Sequence, residues 1–187
     1  MTPSAPALAR RIADALEAAS LPYGIGGALA LGVWGFPRAT KDVDIDIFVA
    51  PENLGPVFAA LRSAGCEVED ASAAAQALDR GDFQAWAGSM RVDVFVPSIP
   101  FYESIRRRVR TAELEGRPAF FISPEDLAVM KFLFFRAKDL IDVERLVAFG
   151  AATFDRSYVG ASLTEIVGAD DSRVVRWGQL LADVDAT

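Results

Sequence analysis

Asp42, Asp44 and Asp46 recur at every second position of Asp42-Val43-Asp44-Ile45-Asp46, and Ile47 follows. Alternate residues of a strand share a face, so this spacing sets three carboxylates on one side and Val43, Ile45 and Ile47 on the other. Three like charges on one sheet face repel each other, and Asp is a poor strand former. One reading is a solvated edge face. The other is a site where carboxylates gather a hard cation. A calcium loop of the EF-hand type would need Gly at its sixth position and Glu at its twelfth. Those positions hold Ile47 and Asn53, so that loop is excluded. What remains is a strand-borne site for one or two Mg²⁺ ions, which in phosphoryl or nucleotidyl transfer bridge triphosphate oxygens. Such a site calls for a further carboxylate from a neighbouring strand. Asp93, within Arg91-Val92-Asp93-Val94-Phe95, supplies one.

A triphosphate also needs donors. Gly26-Gly27 lies where a short apolar run meets a helical pattern, and backbone N–H groups at such a junction favour anions. Glycine lets phosphates come close to the backbone, although an ordinary turn has the same appearance. The chain holds no G-x-x-x-x-G-K-[ST] loop, and Gly24-Ile25-Gly26-Gly27 lacks the dinucleotide-binding spacing.

The composition supports an oxygen-ligand chemistry by exclusion. The 187 residues include 19 Lys+Arg against 26 Asp+Glu, a formal charge of −7, with no histidine and a single cysteine, Cys66. A Ser-His-Asp triad, a Cys-His dyad, an imidazole base and a His-ligated zinc are therefore out of reach. One cysteine excludes an internal disulfide. The acid excess argues against broad nonspecific nucleic-acid binding. The N-terminal stretch has no uninterrupted apolar segment of signal-peptide type, and no run is apolar and long enough for a bilayer. The expected setting is cytoplasmic, with no membrane partner.

The elements that must position these residues follow from periodicity. Helical spacing runs over 5–19, and a short run 21–25 leads into a helix over 27–34. A strand spans 43–49, stopped by Pro51; a helix spans 53–64, with Gly65 beyond it. Residues 66–69 read as a strand and 72–78 as an Ala-rich helix. Strands 83–87 and 90–96 join through Gly88-Ser89. A helix over 99–109 and a strand pair, 110–114 and 118–122, come next. Ser123-Pro124-Glu125-Asp126 is a helix start, with Ser as N-cap, Pro at the first position and acids in the first turn. Helices over 124–136, 138–149, 157–167 and 171–184 complete the chain. This is an α/β (α+β) pattern: a mixed β-sheet core over 1–122 and a helical C-terminal region over 123–187 that completes the site.

In order, Gly26-Gly27, then Arg38-Ala39-Thr40-Lys41-Asp42-Val43-Asp44, then Val92-Asp93-Val94 resemble the nucleotidyltransferase superfamily related to DNA polymerase β. The Arg-x-Thr-x-Asp-hydrophobic-Asp run is similar to its minimal bacterial branch, which includes antibiotic nucleotidyltransferases and AbiEii-type toxins. Pro124-Glu125-Asp126-Leu127, Lys131 and Lys138-Asp139-Leu140-Ile141-Asp142 extend the resemblance, which covers residues 22–149. It implies Asp42 and Asp44 as metal ligands. Asp93 would bind the catalytic metal and help deprotonate the acceptor hydroxyl. It further implies Gly26 and Gly27 on the β/γ phosphates, Lys131 as a phosphate contact, Asp142 as its partner or a further polar site residue, and Arg38 and Thr40 reaching the phosphates. Many members carry Ser or Arg just after the glycine pair; here Ala28 follows.

The function so implied is Mg²⁺-dependent transfer of an NMP from an NTP, ATP first among the candidates, to an acceptor hydroxyl. The acceptor is a small molecule, a tRNA or a protein, and an antitoxin partner or a homodimer fits the branch. The alternative is a weak or inactive nucleotide-binding or partner-binding module on the same fold, which Ala28 favours. Among the other residues, Asp46 is expected to be solvated rather than an outer metal ligand. Lys131 either snorkels to solvent or meets phosphate. Asp139 and Asp142 read as surface acids with Arg136 and Arg145 as helical partners, or as site residues. Arg106–Arg110 read as a solvated helix face or an RNA surface, Trp34, Trp86 and Trp177 as core or interface aromatics, and Cys66 as a small buried hydrophobe.

Overall fold

The computed structural model describes residues 3–35, 37–150 and 153–186. Ser4 caps the first helix, α1 (Ala5–Ala18), by accepting the Ala7 N–H, and Leu8, Ile12 and Leu16 bury one face of it. The chain then enters β1 (Tyr23–Ile25), turns at Gly26 into α2 (Gly27–Val33), and returns through β2 (Asp42–Ile47). A 3-10 turn at Pro51–Asn53 precedes α3 (Gly55–Ser63) and α4 (Asp70–Arg80). The hairpin β3 (Asp82–Ala87) and β4 (Met90–Phe95) turns at Gly88, whose φ of 63° suits glycine. Helix α5 (Phe101–Arg108) and the hairpin β5 (Arg110–Leu114) and β6 (Arg117–Phe121) follow. The last third holds α6 (Pro124–Phe134), α7 (Ala137–Phe149), α8 (Arg156–Val167) and α9 (Ser172–Asp185).

The six strands form one mixed sheet in the order β3-β4-β2-β1-β6-β5. Strand β2 is central: β4 runs parallel to it on one side and β1 antiparallel on the other. Its aliphatic residues Val43, Ile45 and Ile47 are fully buried with Val92 and Val94 of β4, against the buried face of α1, which also packs on α3. Alternation therefore fixes the register: a one-residue slip would turn three aspartates into the core. At the start of α6, Ser123 accepts the Asp126 N–H at 3.1 Å, the cap the sequence announces.

The expected elements are found with small shifts of their ends, and one differs in kind. Residues 66–69 are not a strand; Glu67 makes an isolated antiparallel bridge to Trp86. Glu69 instead caps α4, accepting the Ala71 and Ser72 N–H groups, so that helix begins at Asp70.

Candidate active site

Strand register builds the site. Asp44 of β2 lies opposite Asp93 of the parallel strand β4, and Asp42 lies opposite Arg91. Strand β1 ends beside β2, and the Gly26 N–H donates to the Asp44 carbonyl at 3.0 Å. This brings the first turn of α2 over the Asp44 side chain. Gly27 has φ +53°, and a Cβ there would stand 1.7 Å from Asp44 Oδ2. Only glycine fits this position, both for its backbone angle and for the approach of the carboxylate.

These residues line a cleft of about 560 Å³ between the sheet and α6–α7. Its wall carries Gly26, Gly27, Arg38, Thr40, Asp42, Asp44, Asp93 and Lys131, so eight of the nine residues singled out in the sequence meet there. Asp142 stands behind the wall, where its Oδ2 accepts Lys131 Nζ at 2.8 Å and lies 3.6 Å from Arg38 Nη2. Lys131 is only 6% exposed, so it does not snorkel. It is shared between Asp142 and Asp139, whose Oδ1 is 3.4 Å away. Asp139 is fully buried and takes Arg136 Nε at 2.6 Å as well. The reading of Asp139 and Asp142 as surface acids thus gives way, because α6 and α7 pack their charged positions toward each other.

Several assignments change in the same way. Asp46 is 6% exposed and not solvated: β2 runs deeper at this end, where its carboxylate lies against Gly26 and is felt by Tyr102. Arg108 and Arg110 do not form a free face; both meet Glu125, Arg108 also meets Asp126, and both acids are buried. Arg106 and Arg107 remain on the surface, paired with Glu103. Trp177 is a core residue and Cys66 is buried, but Trp86 on the edge strand β3 is 44% exposed.

The electrostatics mark Asp44. Burial, then the neighbouring charges of Asp42 and Asp93, push its carboxyl up to about 6, against the pull of Lys131 and Arg91. Burial, and then the charge of Asp44, drives Asp46 well above the usual carboxylate range. Burial also raises Asp93, although Arg91 opposes it. Burial would raise Asp42 too, but the Thr40 hydroxyl donating to its carboxylate and the Arg91 guanidinium outweigh this and hold it below the usual range. In Asp139 the Arg136 hydrogen bond and Lys131 likewise outweigh burial and lower the pKa.

Arg91 was not singled out, although it sits two residues before Asp93 on the same strand face. Its Nη2 is 2.9 Å from both Asp42 Oδ2 and Asp93 Oδ2. Gln84 on β3 donates to Asp93 Oδ1 at 3.2 Å. Among the described residues no three acids converge tightly enough to ligate one ion; the guanidinium occupies the space between Asp42 and Asp93. The donor set nonetheless suits Mg²⁺ in kind. It is all carboxylate oxygen, on adjoining strands of one face, and Asp44 carries a like-charge repulsion that Lys131 and Arg91 relieve only in part.

A mixed sheet with an Asp-x-Asp strand at its centre, a third acid in register on the next strand and a glycine pair above them is the arrangement that the resemblance to nucleotidyltransferases implies. Solved structures agree. The chain is similar in fold to the antibiotic-resistance factor ANT(2'')-Ia in solution, at 18% identity over 97% of both chains with a TM-score of 0.58. It is similar as well to the crystal structure of ANT(2")-Ia in complex with adenylyl-2"-tobramycin, at 17% identity, 97% of both chains and a TM-score of 0.55. The lincomycin-bound lincosamide antibiotic adenylyltransferase LnuA matches 80% of this chain and 99% of its own, at 16% identity with a TM-score of 0.53. No protein-family model matches the chain, and no curated protein matches it. No helix among the described residues is long and apolar enough to cross a membrane.

Proposed function

We propose that the chain is a Mg²⁺-dependent nucleotidyltransferase that moves an NMP unit from an NTP to a hydroxyl of a small molecule. The observation that carries this is the register of Asp44 against Asp93 on the cleft face, directly beneath Gly26-Gly27. Asp42, Asp44 and Asp93 would hold the ion or ions. Bound there, Mg²⁺ would offset charge on the triphosphate and on the attacking oxygen.

The chain's own residues do the rest. Gly26 and Gly27 let the β and γ phosphates approach the backbone of the first turn of α2. Lys131, Arg38 and Thr40 face the same cleft and meet phosphate charge, with Asp142 and Asp139 holding Lys131 in place. Asp93, raised by burial, takes the acceptor's hydroxyl proton. The acceptor oxygen then bonds to the α-phosphorus as the bond to the α/β bridging oxygen breaks, and pyrophosphate leaves with that electron pair. No histidine is required. The adenylyl-tobramycin and lincomycin in the similar solved structures favour a small-molecule acceptor over tRNA or protein, and a net charge of −7 argues against a large RNA footprint.

A second reading, a nucleotide-binding module without turnover, draws on Ala28, which is buried where many members have a polar side chain. Incubation with each α-labelled NTP, Mg²⁺ and a panel of hydroxylated small molecules decides between them. Label on an acceptor with pyrophosphate released supports the enzyme. Asp93→Asn should then cost about a thousandfold or more in rate, on the order of 4 kcal/mol. Undiminished transfer by that variant would overturn the assignment. Stabilisation by NTP that is independent of Mg²⁺, with no pyrophosphate, would support the module.

A further inference from the structure

Asp46 lies two residues beyond Asp44, on the same face of β2. The strand therefore carries two carboxylate pairs of identical spacing, Asp42–Asp44 and Asp44–Asp46, with Asp44 common to both. The Asp42 side already holds a cation. Arg91 lies 2.9 Å from both Asp42 and Asp93, and the Thr40 hydroxyl donates to Asp42. The Asp46 side holds none. A carboxylate removed from water needs a proton, a hydrogen-bond donor or a cation. Asp46 is 6% exposed, yet its carboxylate has no hydrogen-bond or ion-pair partner among the described residues.

The other buried acids are provided for. Arg108 and Arg110 meet Glu125, Arg108 and the Tyr158 hydroxyl meet Asp126, and Lys131 meets Asp139 and Asp142. Burial and the charge of Asp44 act on Asp46, and no basic group offsets them. Its cross-strand neighbours, Gly24 on β1 and Phe95 on β4, have no side-chain donor to offer. The surroundings nonetheless admit a ligand. Asp46 lines the main cleft with Asp44. A Cβ on Gly26 would stand 3.1 Å from Asp46 Oδ2, and one on Gly27 would stand 1.7 Å from Asp44 Oδ2. Both carboxylates thus approach one turn that carries no side chains.

We propose that Asp44 and Asp46 hold a divalent cation at the inner end of the cleft, a position separate from the Asp42–Asp93 pair that Arg91 bridges; the use made of that ion rests on the nucleotidyltransferase reading. Mg²⁺ keeps several of its waters and takes one or two carboxylates, so the pair needs no third acid. That agrees with the lack of a three-acid cluster among the described residues. Arg91 can then stay on Asp42 and Asp93 while this ion is bound. The rival account is an Asp46 that is permanently protonated, a neutral polar group with no ligand.

The probe is Mn²⁺, which takes the same all-oxygen ligands and whose free ion is counted by electron paramagnetic resonance. It is titrated into the full chain without NTP. Asp46→Asn has the shape and neutrality of a protonated Asp46. It should weaken Mn²⁺ binding at least about tenfold, with thermal stability no lower than that of the wild type, which verifies folding. Asp46→Ser serves as the second variant should the first not fold. Glu113→Gln removes one exposed charge from the edge strand β5 and should leave the affinity unchanged. No Mn²⁺ binding by the wild type, an affinity unmoved by the Asp46 variants, or an equal loss in Glu113→Gln overturns the position. Transfer of labelled NMP reports separately on the nucleotidyltransferase reading. Asp46-dependent Mn²⁺ binding by a chain that transfers nothing would sink that reading and leave the cation position standing. Transfer alongside Asp46-independent binding would do the reverse.

Discussion

Replacing Asp44 by Asn should stabilise the metal-free protein while destroying its activity. Asp44 titrates at about 6 instead of the usual 3.8 because burial and the charges of Asp42 and Asp93 oppose its ionisation. The native state therefore binds this proton more tightly than the unfolded chain does. Stability contributed by the protonated carboxyl is present below the unfolded value and is lost as pH rises through about 4 to 6. A rise of this size corresponds to on the order of 3 kcal/mol lost by about pH 8. The carboxamide carries no charge at any of these pH values. Urea unfolding in chelator at about pH 8 should place the variant up to about 3 kcal/mol above the wild type, with an unchanged m-value. In a chain of 187 residues that is up to roughly 6–12 °C in Tm. The gap should close below about pH 3, where Asp44 is protonated in both states. Asp44→Asn also removes the charge that helps to raise Asp46, so the difference between the two profiles reports Asp44 together with its coupling to Asp46. Millimolar Mg²⁺ should then reverse the order, since only the wild type gains the full linkage term RT ln(1 + [L]/Kd). A variant less stable than the wild type at about pH 8 without metal, or a gap independent of pH, would refute the electrostatic account of this face.

Three further outcomes follow from the same geometry. Arg91→Gln removes the guanidinium between Asp42 and Asp93; Mg²⁺ should bind about three- to tenfold more tightly by calorimetry, up to about 1.4 kcal/mol, and weaker binding would show that Arg91 does not compete for the site. Lys131→Met removes the cation shared by two buried acids and leaves them to Arg136 and Arg38, costing about 3 kcal/mol in urea unfolding; adding Asp142→Asn should recover part of this, and strict additivity of the two changes would contradict the pairing. Gly27→Ala forces a Cβ into the Asp44 carboxylate at a positive φ, which should cost about 1–3 kcal/mol and abolish the thermal shift with ATP and Mg²⁺; an undiminished shift would remove Gly27 from the phosphate site.

The sheet and its acids were readable because their signals are local. Asp and aliphatic residues alternate within β2, glycine marks the β1–α2 turn, and Ser123-Pro124 opens α6; each is a property of neighbours in sequence. What periodicity did not reveal are pairings between elements that meet only in three dimensions. Lys131, Asp139 and Asp142 look like solvated helix charges until α6 and α7 close on each other. Arg108 and Arg110 look like a basic face until Glu125 and Asp126 are seen beneath them. Asp46 obeys the same alternation as Asp44, yet it falls at the covered end of the strand, and alternation does not record depth. Trp86 reads as core by its type, but β3 is an edge strand, and edge position depends on the strand order of the whole sheet.

Two groups of buried and partly buried acids in this protein have opposite electrostatic character. Glu125 and Asp126 are met by Arg108, with Arg110 on Glu125 as well and the Tyr158 hydroxyl on Asp126. Asp139 and Asp142 are met by Lys131, Arg136 and Arg38. These groups are neutralised from within the chain, as a permanent scaffold requires. Asp44 and Asp93 differ: their carboxyls are raised by burial, and Arg91 relieves them only in part. A chain selected for stability alone would fill these positions with Asn or Thr. Repulsion retained beside a cleft of about 560 Å³, with the opposite wall lined by cations, is the expected form of a site whose missing charge arrives with its ligand. The cations of that wall suit the charge of a polyphosphate.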